Sequence, residues 1–82
     1  MQKNKLNNKK MKTGKLLLKS LRLKYEAEKA DAIARISVYV KNPVGIGEHP
    51  QITEEMDKLV QQYTDSVDKL LGLNEIESEL KN

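Results

Sequence analysis

Both prolines of this chain fall in one nine-residue stretch, Asn42-Pro43-Val44-Gly45-Ile46-Gly47-Glu48-His49-Pro50. Outside it, only Gly14 and Gly72 punctuate the sequence. Proline fixes φ and removes a backbone donor, so no helix or central strand runs through this stretch. The residue before a proline is pushed out of the α region, which makes Asn42 the predicted end of the element before it. The two glycines permit the positive φ values that a chain reversal needs. The sequence therefore predicts two long elements joined by one rigid turn, with Val44 and Ile46 closing the end of the core between them.

The first element reads as a helix over 14–41, about 40 Å long at 1.5 Å per residue. Leu18, Leu21, Tyr25, Ile33, Ile36 and Val40 recur at roughly helical spacing, with a break where Lys29 stands. A second row, Leu23, Ala27, Ala30, Ala34 and Val38, lies on another face and is mostly small. Small side chains let helix axes approach within the usual 8–10 Å range. Ile36-Ser37-Val38-Tyr39-Val40 is β-branched and aromatic enough for a strand. A lone strand has no partner here, and helix is the reading kept. Asp31 and Arg35 form a favourable i,i+4 pair.

The second element starts near Pro50, with Glu54, Glu55 and Asp57 at the positive end of the helix dipole. Ile52, Met56, Leu59, Tyr63, Val67 and Leu70 give the most regular apolar spacing in the chain. Glu54–Lys58 and Asp65–Lys69 are further i,i+4 pairs. Gly72 reads as a C-terminal stop. Asn74 with Glu77 reads as a capping box that restarts a short helix. A continuous helix with a weak point at Gly72 is the alternative. The predicted organisation is a basic arm over 1–13 and an all-α antiparallel helical hairpin over 14–82. Within the hairpin the helices cover about 14–41 and 51–71, the loop 42–50, and a short third helix about 75–81. A helix with two apolar faces needs two neighbours, and a hairpin supplies one. A homodimer or higher assembly, forming a four-helix bundle, is the expected outcome.

Charge is divided along the chain. Residues 1–24 hold nine basic residues and no acid, whereas 25–82 hold six basic and twelve acidic ones, for a net charge of +3 overall. The arm, MQKNKLNNKKMKT, is mostly Lys and Asn. Its few apolar residues are too sparse to offset the entropy of ordering it, so it is predicted to lack fixed structure on its own. Three readings of the arm stay open: a solubilising tail, a contact to nucleic-acid phosphates, and a dock for an acidic protein surface. Lys15, Lys19, Arg22 and Lys24 continue the charge among leucines, a basic amphipathic pattern that also suits an anionic membrane surface.

Catalytic and metal chemistry finds little footing. The 82 residues include no Cys, which excludes disulfides, thiolate zinc sites and a thiol nucleophile. His49 is the single histidine, and a site needs several convergent ligands or a nucleophile with an oriented base. Gly45-Ile46-Gly47 lacks the preceding strand and the GK[ST] continuation of a phosphate loop. Tyr25, Tyr39 and Tyr63 do not alternate with basic residues as a base-stacking platform would. No helix-turn-helix spacing is present, because the connection is too long and too apolar. No apolar run approaches about 20 residues, and no apolar segment follows the basic N-terminus as in a secretory signal. No enzyme activity, cofactor or metal is expected.

The loop 42–50, with Val40 and Lys41 before it and Ile52, Glu55, Met56, Asp57 and Asp68-Lys69-Leu70 after it, resembles a group of small proteins of large contractile-tailed bacteriophages. In these an NPVGIGEHP-like loop joins two helices. The likeness covers about 25–73 and leaves out the arm. It implies a phage setting, in the virion or the cytoplasm of the infected cell, and carries no catalytic residue. The expected function is a non-enzymatic interaction protein that self-associates and docks on a larger phage or host assembly. The alternative is sequence-independent nucleic-acid binding through the arm. Partner-contacting candidates are Lys3, Lys5, Lys9, Lys10, Lys12, Lys15, Lys19 and Arg22, with Val44, Ile46, Glu48 and His49 in the loop.

Overall fold

The computed structural model describes residues 2–42 and 51–81, with side chains from residue 12 onward. It contains α1 (Gln2–Lys41) and α2 (Ile52–Lys81), packed against each other as a helical hairpin. The described residues contain no strand, so 36–40 is helical despite its β-branched composition. The Asn42 amide still bonds the Val38 carbonyl at 3.0 Å, and the Glu55 amide bonds the Gln51 carbonyl at 2.9 Å. Those two bonds close α1 and open α2 on either side of the proline-bounded loop. Val44, Ile46, Glu48 and His49 lie outside the described residues.

The helices meet along a seam of 3.5-residue period. On α1 it passes through Leu18, Arg22, Tyr25, Lys29, Ala32, Ile36 and Tyr39, in steps of four and three, and all are buried or half-buried. That period is the one that keeps a single stripe facing a neighbouring helix. On α2 the seam includes Ile52, Met56, Leu59, Ser66, Leu70 and Leu73. Ala32 and Ser66 are both 0% exposed and Leu73 is 3% exposed. These three are the only side chains among the described residues that reach full burial. Two of the three are small, which is what close approach of two backbones requires. The Ser66 hydroxyl is satisfied within its own helix, donating to the Gln62 carbonyl at 2.7 Å.

The structure departs from the sequence expectations at three places. First, α1 begins at Gln2, so the arm is helical rather than without fixed structure, and Gly14 lies inside the helix. Extending an existing helix needs no new nucleus, and Gln, Lys, Leu and Met all favour helix. Secondly, α2 runs through Gly72 without a stop, and there is no separate short helix. Leu73 explains this: it reaches its buried seam position only if the helix continues through Gly72. Thirdly, the first apolar row of α1 is split between the seam and the surface, while the second row stays uncovered as expected. Leu18, Tyr25 and Ile36 line the seam, while Leu21, Ile33 and Val40 are exposed, as is the whole Leu23 to Val38 row. The break at Lys29 is part of the seam itself.

Leu73 and Ser66 are equally hidden but differ in what they contribute. Leu73→Ala removes buried apolar surface and is expected to lower stability by about 2–3 kcal/mol. Ser66→Ala removes only a hydroxyl bonded within its own helix and improves helix propensity, so a change within about 1 kcal/mol is expected. Urea unfolding followed by circular dichroism ranks the two. Equal losses would mean that Leu73 does not carry the seam.

Candidate interaction surface

Polar contacts fix the register of the hairpin at two points. Arg22 of α1 donates from Nη2 to Asn74 Oδ1 at 2.8 Å and pairs through the same nitrogen with Glu77 Oε1. Further toward the loop, Gln62 Nε2 of α2 donates to the Glu28 carbonyl at 2.7 Å and to Asp31 Oδ2 at 3.0 Å. Arg35 Nε holds the other Asp31 oxygen at 3.0 Å. Between the two points, the Lys69 ammonium lies 5.5 Å from the centre of the Tyr25 ring, within cation–π range. No buried side-chain polar atom among the described residues lacks a partner.

These contacts reassign several residues. Asn74 and Glu77 do not cap a new helix; they grip Arg22 across the seam. Arg22 is thereby turned inward, unlike Lys12, Lys15 and Lys19, which are exposed. The Asp31–Arg35 pair forms as its spacing predicts. Asp65 instead accepts from Gln61 at 2.9 Å, and Lys69 goes to Tyr25. Arg22–Glu77 and Arg35–Asp31 are the only ion pairs among the described residues. Gln62 and Ser66 escape a search for apolar spacing because both are polar. The visible signal is the step pattern, in which Ser66 falls between Leu59 and Leu73 at multiples of seven.

The candidate cations form a single projection. The last residues of α2, Leu80 and Lys81, lie beside Gly14 and Lys15, where they line a half-open notch of about 630 Å³ with Leu18, Lys19 and Arg22. Residues 2–13 of α1 therefore extend beyond the end of α2, as about 18 Å of helix at 1.5 Å per residue. The 67 Å long dimension of the molecule reflects this overhang. Lys3, Lys5, Lys9, Lys10 and Lys12 stand on the overhang, and Lys15 and Lys19 are exposed at its base. No acid stands in the first turn of α1, so the positive end of the helix dipole carries only like charge.

No helix among the described residues is long and apolar enough to cross a membrane. No group of three or more His, Cys, Asp or Glu residues there is placed to hold a metal ion. Comparison with protein-family models, with curated proteins and with solved structures gives no match.

Asp31 gives the surface a pH dependence. The Gln62 amide, then the Arg35 guanidinium, hold its carboxyl below the ordinary value of 3.8 by hydrogen bonding to its charged form. A carboxyl whose folded-state pKa is depressed stabilises the fold fully above its unfolded-state value. That contribution is lost as pH falls through the folded-state value. The urea midpoint is therefore expected to fall between pH 7 and pH 3, and Asp31→Asn to narrow that difference. An unchanged difference in the variant would remove Asp31 from the account.

Proposed function

We propose that this chain is a non-enzymatic interaction protein. It self-associates through apolar side chains that the hairpin leaves exposed. It also presents a basic helical overhang to an acidic surface of a larger assembly, of phage or host origin in keeping with the loop resemblance. The observation that supports this most is that α1 outruns α2, so that the cationic start of α1 lies beyond the last described residue of α2. The lysines of the overhang occur at positions 3, 5, 9, 10 and 12, which fall within about one half of the helix circumference at 3.6 residues per turn. Leu6 and Met11 are too few and too far apart in angle to make an apolar stripe, so insertion into a lipid surface is disfavoured. Electrostatic docking without deep burial fits this pattern. The loop candidates Val44, Ile46, Glu48 and His49 remain part of the proposed docking surface on the strength of their sequence alone.

The same overhang favours one second reading, sequence-independent binding of nucleic acid through phosphate contacts. The two readings differ in how binding responds to salt. Affinity for DNA held only by phosphate contacts falls steeply and linearly in log–log form as salt rises. Fluorescence anisotropy with labelled duplex and single-stranded DNA separates them. The protein-docking reading predicts weak binding at low salt that disappears at near-physiological salt. Tight binding that persists there, and is lost on deleting residues 2–13, would establish the nucleic-acid reading instead.

A further inference from the structure

The helix α2 is strongly charged, with eight acidic and three basic residues in 30, yet one of its rows carries no charge at all. From residue 53 to 78, in steps of three and four, every residue of this row is neutral. The adjacent row, one residue further on, carries Glu54, Asp57, Asp65, Asp68, Glu75 and Glu79. The contacts of the hairpin locate the neutral row. Gln62 and Lys69 meet α1 at one edge of the seam, through Asp31 and Tyr25, while Asn74 meets Arg22 at the other. The neutral row runs along the Asn74 edge. Two of its large members are left open to solvent, with Val60 50% and Leu71 57% exposed, while Met56 and Val67 are half-buried. On α1, Ile33 and Val40 occupy the same flank by helical register and are also exposed.

We infer that this flank is the seat of a second copy of the chain, packed with its α2 antiparallel to the first. The inference rests on the self-association proposed above and specifies its surface and direction. Two features select a second copy. Three of the four pairs match in size when the neutral row is reversed about its midpoint, Thr53 with Ser78, Val60 with Leu71 and Thr64 with Val67, while Met56 and Asn74 do not. An isologous interface sets the same patch of each copy against the other, and a row matched in size about its centre fits itself when reversed. Moreover, the ends of the hairpin differ in charge. Residues 1–24 with 65–82 carry a net +6, and residues 25–64 carry −3. Five of those positive charges stand on the overhang beyond the end of α2. Antiparallel copies keep the two overhangs at opposite ends, whereas parallel copies would set them side by side. Leu73 is the one large side chain that reaches full burial among the described residues, so a covered flank supplies the core that the isolated hairpin lacks.

The native chain has no cysteine, so single introduced thiols report distances between copies cleanly. Thr53, Thr64 and Ser78 are all exposed and suit this use. Under mild oxidation, full-length Thr64→Cys and Val67→Cys are expected to form a disulfide-linked dimer when mixed. Thr53→Cys and Ser78→Cys are each expected to remain uncrosslinked alone, yet to crosslink with each other when mixed. Crosslinking of Thr53→Cys and Ser78→Cys each with itself would mean parallel copies, overturning the inference but not self-association. A dimeric mass by light scattering with no crosslink in any variant would put the interface elsewhere and equally overturn it. A 9.4 kDa mass for the unmodified chain across a hundredfold concentration range would remove self-association and the inference together.

Discussion

The contact on which this molecule depends is a narrow one. Two helices meet along a heptad-spaced seam whose deepest positions are Ala32, Ser66 and Leu73. Small residues bring the backbones together but bury little apolar area, at roughly 25 cal/mol per Å². Polar clamps then take over part of the work that a larger core would do. Arg22 with Asn74 and Glu77, and Gln62 with Asp31 and the Glu28 carbonyl, fix one helix against the other along the axis. Such contacts add only modestly to stability, yet they define register well, because a slip of one turn would break both clamps.

That division between packing and register explains how the sequence relates to the fold. The proline-bounded loop and the spacing of Ile52, Met56, Leu59 and Leu70 make the hairpin legible in the amino-acid sequence alone. The α1 side of the seam is less so, because apolar spacing selects Leu21, Ile33 and Val40 as readily as Leu18, Tyr25 and Ile36. Only a partner decides between the two sets. The deciding residues, Ala32, Arg22 and Lys29, do not look like core. Gly72 and the Asn74–Glu77 pair carry strong local termination and capping signals. They are overridden because burying Leu73 and binding Arg22 both need a continuous helix. Of the candidate site, the cationic run is visible as composition, while its presentation as a helix beyond the end of α2 is not.

Charge organises what the packing leaves open. Twelve basic and three acidic residues lie on α1, against three basic and eight acidic ones on α2. Within the described hairpin this asymmetry is used once across the seam, at Arg22–Glu77. Lys29 stands in the seam and Lys69 lies against Tyr25, while most of the rest is sorted into strips: lysines at one end, an acidic row along the back of α2, and a neutral flank between that row and the seam. The proposed assembly draws on this sorting of the surface into cationic, acidic and neutral strips. Salt is expected to weaken the charged contacts and to leave the neutral flank largely unaffected.

The central claim is that one hairpin is an incomplete core and that a second copy completes it. Thermal melts of the full-length chain, followed by circular dichroism over a hundredfold range of protein concentration, test it most directly. Association that stabilises the folded state makes the midpoint rise with concentration. A rising midpoint is the result this account predicts. A midpoint independent of concentration, in a chain that remains fully helical at a mass of 9.4 kDa, would contradict it.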